Sequence, residues 1–370
     1  MRINIAAAHR FHLLDLAREL ETHGHEVRFY SYVPTKRALK FGLKKECSFS
    51  LFYLMLPFLA FVKISKGSTL STKLLHKALD TYLSLFMKPC DIYIALGTVY
   101  KTSLKRAKQK YNAITILEWG SKHILAQEQA ITKNTYAKKQ SEFYIKRSLS
   151  GYELADFISI PSTHVKESFI LNGIDINKLI INPYGVDLSM FKPTIKNSDY
   201  VFDAIMVGNW SFTKGCDLII EFFKEQKYTF LHVGPIKDLK FPKLKNMHHI
   251  DPVNQSELIN YYSKALVFIL PSRAEGLAMV QSQALACGLP IVCSKDTGGK
   301  DLRNILVDKN WIIEMEDFSI KSLNDSFFKA LALAETQNGL RNYAGQSIDN
   351  LTWKAYGNRY NINLNNIFDA

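Results

Sequence analysis

Short apolar runs alternate with amphipathic ones along this chain, and the alternation is carried through twice. Residues 2–8 (RINIAAA) read as a strand. Leu13, Leu14, Leu16, Ala17 and Leu20 then recur at helical spacing, with Gly24 as the C-terminal stop, and residues 25–32 (HEVRFYSY) form a second strand. A βαβ opening of this kind implies a right-handed connection and a parallel sheet. Further strands are expected at 91–96, 113–119, 156–162 and 179–185. A second cycle runs through strands at 200–208, 228–234, 267–272 and 290–295, with helices at 216–225, 256–265 and 277–288 between them. Two such runs predict two doubly wound α/β domains. The boundary is placed in 183–199 (PYGVDLSMFKPTIKNSD), rich in Pro, Asp, Ser and Lys.

Composition agrees with two cores and excludes several alternatives. The 370 residues exceed one ordinary domain, and 47% hydrophobic with 22% charged residues excludes a disordered or low-complexity chain. No apolar run is long enough to span a bilayer as a helix. Arg10 and Asp15 interrupt any secretory h-region, and five cysteines without CxxC spacing favour a reduced, cytosolic setting.

The net charge of +13 is unevenly placed. Residues 1–180 hold 27 Lys/Arg against 14 Asp/Glu, whereas residues 181–370 hold 20 of each. One half therefore faces an anion: a nucleic acid, an anionic membrane surface or a phosphorylated substrate.

The usual nucleotide fingerprints are missing. AAAHRF stands where GxGxxG would follow the first strand, and there is no GxxxxGK[ST], which disfavours a nicotinamide enzyme and a P-loop NTPase. The chemistry concentrates in the second half. In VGNWSFTKG (207–215) a buried strand ends at Gly208, and Lys214 with Gly215 opens a helix whose N-terminus suits a phosphate. The plainer alternative is a solvated lysine. In PSRAEGLAMVQSQALACGLPIV (271–292) a strand ends at Leu270, a loop carries Arg273 and Glu275, and a helix is expected from about Gly276. Gln283 lies eight residues after Glu275, about 80° from the same helical direction, so both can face one cleft. Ligands of open α/β sheets bind at these C-terminal strand ends.

These residues carry a resemblance. EGLAMVQSQALACGLPIV, YGVDLSMFKP (184–193), ADFISIPSTHVKESFILNGID and HGHEV (23–27) together resemble retaining glycosyltransferases of family 4, with the GT-B fold of two Rossmann-like domains facing a cleft. The resemblance implies an N-terminal acceptor-binding domain (1–185), a C-terminal nucleotide-sugar-binding domain (186–350), and a last helix (351–370) packing back on the first domain. It implies that Lys214 contacts the donor diphosphate, and that Glu275 hydrogen-bonds the donor sugar. The amides of Gly276, Leu277 and Ala278 would hold sugar and phosphate. Gln283 replaces the second Glu of the family's E-x7-E pair; its amide oxygen can still accept from a ribose hydroxyl, but it is no acid or base. Gly208 and Asn209 belong to the same donor loop, where Asn209 replaces a common basic residue and Arg273 is the expected compensation.

The N-terminal half departs further from the family. His9, Arg10 and His12 follow the first strand, where an acceptor or the donor phosphate would lie. Glu118, Ser121 and His123 follow a buried strand and read either as a cleft loop or as helix caps. The resemblance points to a donor-sugar histidine here, and His123 is the candidate. Catalysis is thus expected from Glu275, His123 and Lys214, with His9, Arg10 and Ser121 on the acceptor side.

The implied reaction is metal-independent transfer, with retention, from a UDP- or GDP-linked sugar, without a cofactor. Residues 47–62 (CSFSLFYLMLPFLAFV) lie between Lys36, Arg37, Lys40, Lys44, Lys45 and Lys63, Lys66. They suit either an interfacial segment or a buried strand and helix start. With the basic first half, they favour a lipid-linked glycan acceptor of a bacterial envelope polysaccharide (lipopolysaccharide, O-antigen or capsule), at the inner face of the cell membrane. Two other readings share the fold: a nucleotide-sugar epimerase and a binding-only relative. A nucleic-acid-binding protein would explain the charge but not the 271–292 constellation.

Overall fold

The computed structural model describes residues 1–97, 100–132, 140–193, 202–337 and 348–369. The first unit runs β1 (Arg2–Ala6), α1 (Phe11–Thr22), β2 (Glu26–Ser31), α2 (Thr35–Leu39), β3 (Ser48–Ser50), α3 (Phe52–Ile64) and α4 (Thr69–Phe86). It continues with β4 (Ile92–Leu96), α5 (Lys101–Tyr111), β5 (Ile114–Glu118), α6 (Ile124–Thr132), α7 (Glu142–Leu154), β6 (Phe157–Ile160), α8 (Thr163–Ile170) and β7 (Leu179–Ile181). Its seven strands are all parallel, in the order β3-β2-β1-β4-β5-β6-β7.

The second unit runs β8 (Phe202–Val207), α9 (Cys216–Lys224), β9 (Phe230–Val233), β10 (Met247–Ile250), α10 (Leu258–Tyr262) and β11 (Ala265–Leu270). It ends with α11 (Met279–Ala286), β12 (Ile291–Cys293), α12 (Gly299–Ile305), β13 (Ile312–Glu314), α13 (Ile320–Glu335) and α14 (Trp353–Phe368). Its six strands are also parallel, in the order β10-β9-β8-β11-β12-β13. The architecture is therefore α/β, with two Rossmann-like parallel-sheet domains. Part of the expected boundary, residues 194–201, lies outside the described residues.

Both faces of the first sheet are covered, which is why its strands are nearly continuous hydrophobic runs. Ile3, Ile5, Ile92, Ile94 and Ile116 pack with Leu13, Leu16 and Leu20 of α1. The alternate residues Tyr30, Tyr93 and Leu117 pack on the other side with Leu79, Leu83 and Leu104 of α4 and α5.

Residues 47–62 form a strand and a helix start, but neither is deeply buried. They supply the short strand β3 and most of α3, but of α3 only Met55 is buried. Tyr53 and Ile64 are 82% and 81% exposed, and Leu54, Leu56 and Phe61 are also exposed. Among the described residues, no helix is long and apolar enough to cross a membrane.

The last helix lies on α1. A Cβ on Gly357 would meet the Glu19 side chain at 2.3 Å, so the missing side chain sets this close approach. Asn361 bonds His25 at 2.6 Å, and the Arg359 guanidinium donates to Asn182 Oδ1 and the Pro183 carbonyl.

Candidate active site

The donor-side residues converge at the C-terminal ends of β8 and β11. The turn after β8 passes through Gly208, Asn209 and the buried Trp210 before Gly215 caps α9. Gly215 has φ +75°, and a Cβ there would lie 2.0 Å from the Pro271 carbonyl oxygen, so this position requires glycine. The contact brings the two loops together. Lys214 Nζ pairs with Glu275 Oε1, and Ser272 Oγ lies 3.0 Å from the same carboxylate oxygen. Sixty-one residues separate lysine and glutamate in sequence. The Gly208 carbonyl accepts from His232 Nε2 at 2.8 Å, and burial pulls the His232 imidazole down to about 4.

The helix after Glu275 begins at Met279 with Ala278 as its cap, later than expected. The Ala278 amide donates to the Thr297 carbonyl at 3.2 Å and is not free for a ligand. The amides of Gly276 and Leu277 show no such partner among the described residues. Gln283 Oε1, expected to face a ribose, accepts from the Tyr262 hydroxyl at 3.2 Å. That leaves the amide nitrogen and one lone pair of the oxygen for a ligand.

Arg273 is placed differently from the expectation. Its guanidinium grips Asp217 through two bonds of 2.7 Å, donates to the Phe212 carbonyl and lies over the Phe212 and Phe318 rings. With its charge paired and both faces stacked, it ties its loop to α9 rather than compensating for Asn209.

A seam of polar contacts closes the domains over Glu275 and Gly276. The His164 ring bonds the Glu275 carbonyl at 2.9 Å, and Ser162 Oγ donates to the Gly276 carbonyl at 2.7 Å. Asp301 accepts from the Thr163 amide and hydroxyl at the N-terminus of α8, and Lys122 pairs with Asp296 at 2.7 Å. Burial lowers the His164 imidazole.

Beside the seam lies a cavity of about 580 Å³. The first domain contributes Arg10, Phe11, His12, Asp15, Gly120 and Ser121. The second contributes Gln255, Leu277, Met279 and Gln283, while Tyr184 and Asp187 come from the connection and Trp353 from α14. Arg10 bonds Asp15 at 3.4 Å and lies over the Phe41 ring. Phe11 is 51% exposed at φ +38°, a strained backbone for a bulky residue. Burial raises the Asp15 carboxyl against the opposing pull of Arg10 and Arg18.

Of the expected residues, Arg10, Ser121, Leu277 and Gln283 line this cavity; Gly208, Asn209, Lys214, Arg273, Glu275, Gly276 and Ala278 do not, and neither do His9 and His123. His9 bonds the Tyr32 hydroxyl at 2.8 Å. His123 is 1% exposed, and its ring packs against Tyr152 and Phe169. Burial pulls His123 down to about 4, and its Nε2 has no hydrogen-bond partner among the described residues. The side chain lies in the first domain's core.

The cavity also collects Asp15, which sequence reasoning passed over, and His12, which it had placed after the first strand. His12 Nε2 lies 2.9 Å from Glu118 Oε2, with both side chains buried. Asp15 had a legible signal: it is a charged residue on the otherwise leucine-rich buried face of α1. Among the described residues, no group of three His, Cys, Asp or Glu could hold a metal ion.

Comparison with known proteins agrees with this architecture. The family described as "Glycosyl transferases group 1" matches residues 189–347, a span holding Lys214, Glu275 and Gln283. An uncharacterised glycosyltransferase of Methanocaldococcus jannaschii is 23% identical over 198 residues, covering 49% of this chain and 55% of that protein. O-antigen chain mannosyltransferase B of Escherichia coli is 24% identical over 113 residues, 30% of each chain. The chain thus spans about half of the first relative and under a third of the second. Among solved structures, Anabaena HepE in complex with UDP and glucose aligns with a TM-score of 0.61 at 14% identity, covering 99% of this chain and 100% of that one. That likeness is one of fold. Residues 189–347 thus match the glycosyltransferase group 1 family model, and the chain shares the two-domain GT-B fold of its structural neighbours.

Proposed function

We propose that this chain is a retaining glycosyltransferase that moves a sugar from a UDP- or GDP-linked donor to a lipid-linked glycan acceptor. The observation that carries the reading is the Lys214–Glu275 pair at the mouths of β8 and β11, beside the amides of Gly276 and Leu277. A lysine there offers positive charge to a departing diphosphate, and the carboxylate offers an acceptor to sugar hydroxyls. In the apo chain the two neutralise each other, and a bound donor would separate them. Gln283, Leu277 and Met279 line the adjoining cavity, whose volume suits a nucleotide sugar. The HepE complexes with UDP and UDP-glucose support this class of donor. The reading needs no metal, since Lys214 and the loop amides face the leaving group.

The acceptor side rests on α3. Its exposed Tyr53, Leu56 and Ile64, with Lys63 and Lys66 beside them, form an apolar ridge with a basic flank. That pattern suits the anionic inner face of a membrane and hence a lipid-linked acceptor. The O-antigen mannosyltransferase among the relatives points to envelope polysaccharide synthesis.

The test is calorimetric titration with UDP, GDP, ADP and CMP, followed by turnover of the matching sugar nucleotide with and without a bacterial lipid extract. Tight binding of one diphosphate with extract-dependent transfer and a retained anomeric configuration supports the reading. Epimerised sugar nucleotide formed without acceptor would replace it with the epimerase, and binding without turnover with the binding-only relative.

A further inference from the structure

We propose that His232, backed by His249, is a positioning residue of the donor site: it holds the Gly208–Asn209 peptide so that the Asn209 amide is left to bind the donor's diphosphate. The inference rests on the transferase reading above and adds to Lys214 a second group for the same anion.

The starting point is a proline. β8 and β9 are parallel, and their ladder continues past both strand ends. The Gly208 amide donates to the Val233 carbonyl at 3.0 Å, the Trp210 amide to the Pro235 carbonyl at 2.9 Å, and the Lys237 amide to the Trp210 carbonyl at 3.0 Å. In that register the Gly208 carbonyl should accept from the amide of residue 235, which is proline and has no N–H. The His232 ring supplies the missing donor, with Nε2 at 2.8 Å from the Gly208 oxygen. Gly234 leaves room for that oxygen: its φ is +146°, and a Cβ there would lie 2.1 Å away.

A second histidine fixes the proton. A carbonyl only accepts, so His232 Nε2 carries the hydrogen and, in the neutral ring, Nδ1 holds a lone pair. His249 Nδ1 lies 2.9 Å from that lone pair and therefore donates. The two ring planes are 14° from parallel with centroids 5.0 Å apart, as suits an N–H···N bond running along the rings. Burial opposes a charge on His232 and so preserves this order. His249 Nε2 faces the exposed Asp251 at 3.5 Å, so a proton taken up there leaves the bond to His232 intact. Trp210 and Phe241 pack on the His232 ring and hold it in place.

The consequence lies on the other side of the peptide. A trans peptide points its C=O and its N–H in opposite directions. With the Gly208 carbonyl held on the β9 side, the Asn209 amide points away from β9, towards the flank that β8 shares with β11. Asn209 is exposed, and its amide has no partner among the described residues. The loop after β11 carries Ser272 and Glu275 and meets Lys214, five residues after Asn209 in the same turn. A flipped peptide would present the Gly208 oxygen to an anion there and repel it. Arg273, the expected substitute for a basic residue at 209, is committed to Asp217, and an aimed backbone amide takes its part.

The experiment is calorimetry with UDP and with GDP on the wild type, His232→Phe, His232→Gln and His249→Phe, with the Tm of each. The Asn209 amide signal is followed by NMR after asparagine-selective nitrogen-15 labelling. Phe keeps a ring beside Trp210 and Phe241 but cannot donate, whereas the Gln amide nitrogen donates from near the place of Nε2. His232→Phe is expected to weaken the diphosphate that the wild type binds by about tenfold, as losing one hydrogen bond to a charged group does, and His232→Gln to return it to within about threefold of wild type. His249→Phe removes only the donor to Nδ1 and should cost about threefold. The Asn209 signal should move downfield when the diphosphate binds the wild type, and stay in place in His232→Phe. A packing role alone would lower Tm and leave affinity unchanged. A folded His232→Phe that binds within about twofold of wild type, a His232→Gln no better than His232→Phe, or a wild-type Asn209 signal unmoved by bound diphosphate each overturns the proposal and leaves the transferase reading standing. Should His232→Phe fail to fold, the wild-type Asn209 signal and His249→Phe decide in the same way. A wild type that binds neither diphosphate overturns both.

Discussion

Gly276 and Gly120 meet backbone to backbone across the cleft: a Cβ on Gly276 would lie 1.8 Å from the Gly120 carbonyl oxygen. The sequence signature around Glu275 thus includes a glycine whose missing side chain lets the other domain close. Gly276→Ala is expected to push the seam apart, breaking the Ser162 and His164 bonds beside it. Small-angle scattering should show a larger radius of gyration, and turnover should fall at least about tenfold, because closure completes the site and excludes water. An unchanged radius would show that the loop gives way locally instead.

Lys214 and Arg273 stand on adjoining loops but have different tasks, and substitution separates them. Lys214→Ala should weaken nucleoside diphosphate binding about tenfold or more, as expected for losing a charge-assisted hydrogen bond worth about 1.5–3 kcal/mol. Arg273→Ala should instead lower stability by about 1–3 kcal/mol, because it leaves Asp217 unpaired and unstacks Phe212 and Phe318. Calorimetry and denaturant melts distinguish the two, and a reversed pattern would make Arg273 the phosphate ligand.

Stability should fall on acidification through the buried histidines. His123 and His232 are both held down to about 4 by burial, against an ordinary value of 6.5. Between those values the unfolded chain binds protons that the folded chain refuses. Their contribution is therefore complete above pH 6.5 and is lost as pH falls towards 4. Urea melts at pH 7 and pH 5 should differ by about 2 kcal/mol or more from these two groups. His123→Phe keeps an aromatic ring among Tyr152 and Phe169 and should remove its share of that slope; an unaltered slope would leave His123 out of the account.

The α3 ridge is open to a direct test. Tyr53→Ser with Ile64→Ser removes two side chains that are over four-fifths exposed, so folding stability should change by no more than about 0.5 kcal/mol. Flotation on vesicles containing anionic phospholipid should drop several-fold, while binding of the nucleoside diphosphate stays as it was. Equal flotation on purely zwitterionic vesicles would take charge out of the explanation.

The parts of this molecule written in contiguous sequence were legible from it. Alternating buried runs gave the parallel strands, and the polar residues Ser272 and Glu275 after a buried strand marked the loop that the structure brings against Lys214. The strands at 247–250 and 312–314 were missed, being three or four residues long at sheet edges, where burial no longer enforces an apolar pattern. Tertiary partners were harder. Arg273 looked free because Asp217 lies 56 residues away. Glu118 ends β5 and His123 follows it, and sequence favoured the histidine. The structure buries both, Glu118 against His12 and His123 against Tyr152 and Phe169, contacts made with residues distant in sequence.

The return of α14 to α1 also has a consequence for the order of events at the ribosome. β1 and α1 are made before the second domain, yet Glu19 and His25 wait for Gly357 and Asn361, which are made after it. Of the two domains, the one that emerges first is thus the one finished last. Until α14 emerges, the flank of α1 awaiting Tyr356 and Tyr360 stays uncovered, and a chain stalled before residue 353 would hold its second domain folded beside an incomplete first one. Nascent chains arrested short of that point should engage chaperones more strongly than the released protein, a liability set by the chain's path rather than by any single contact.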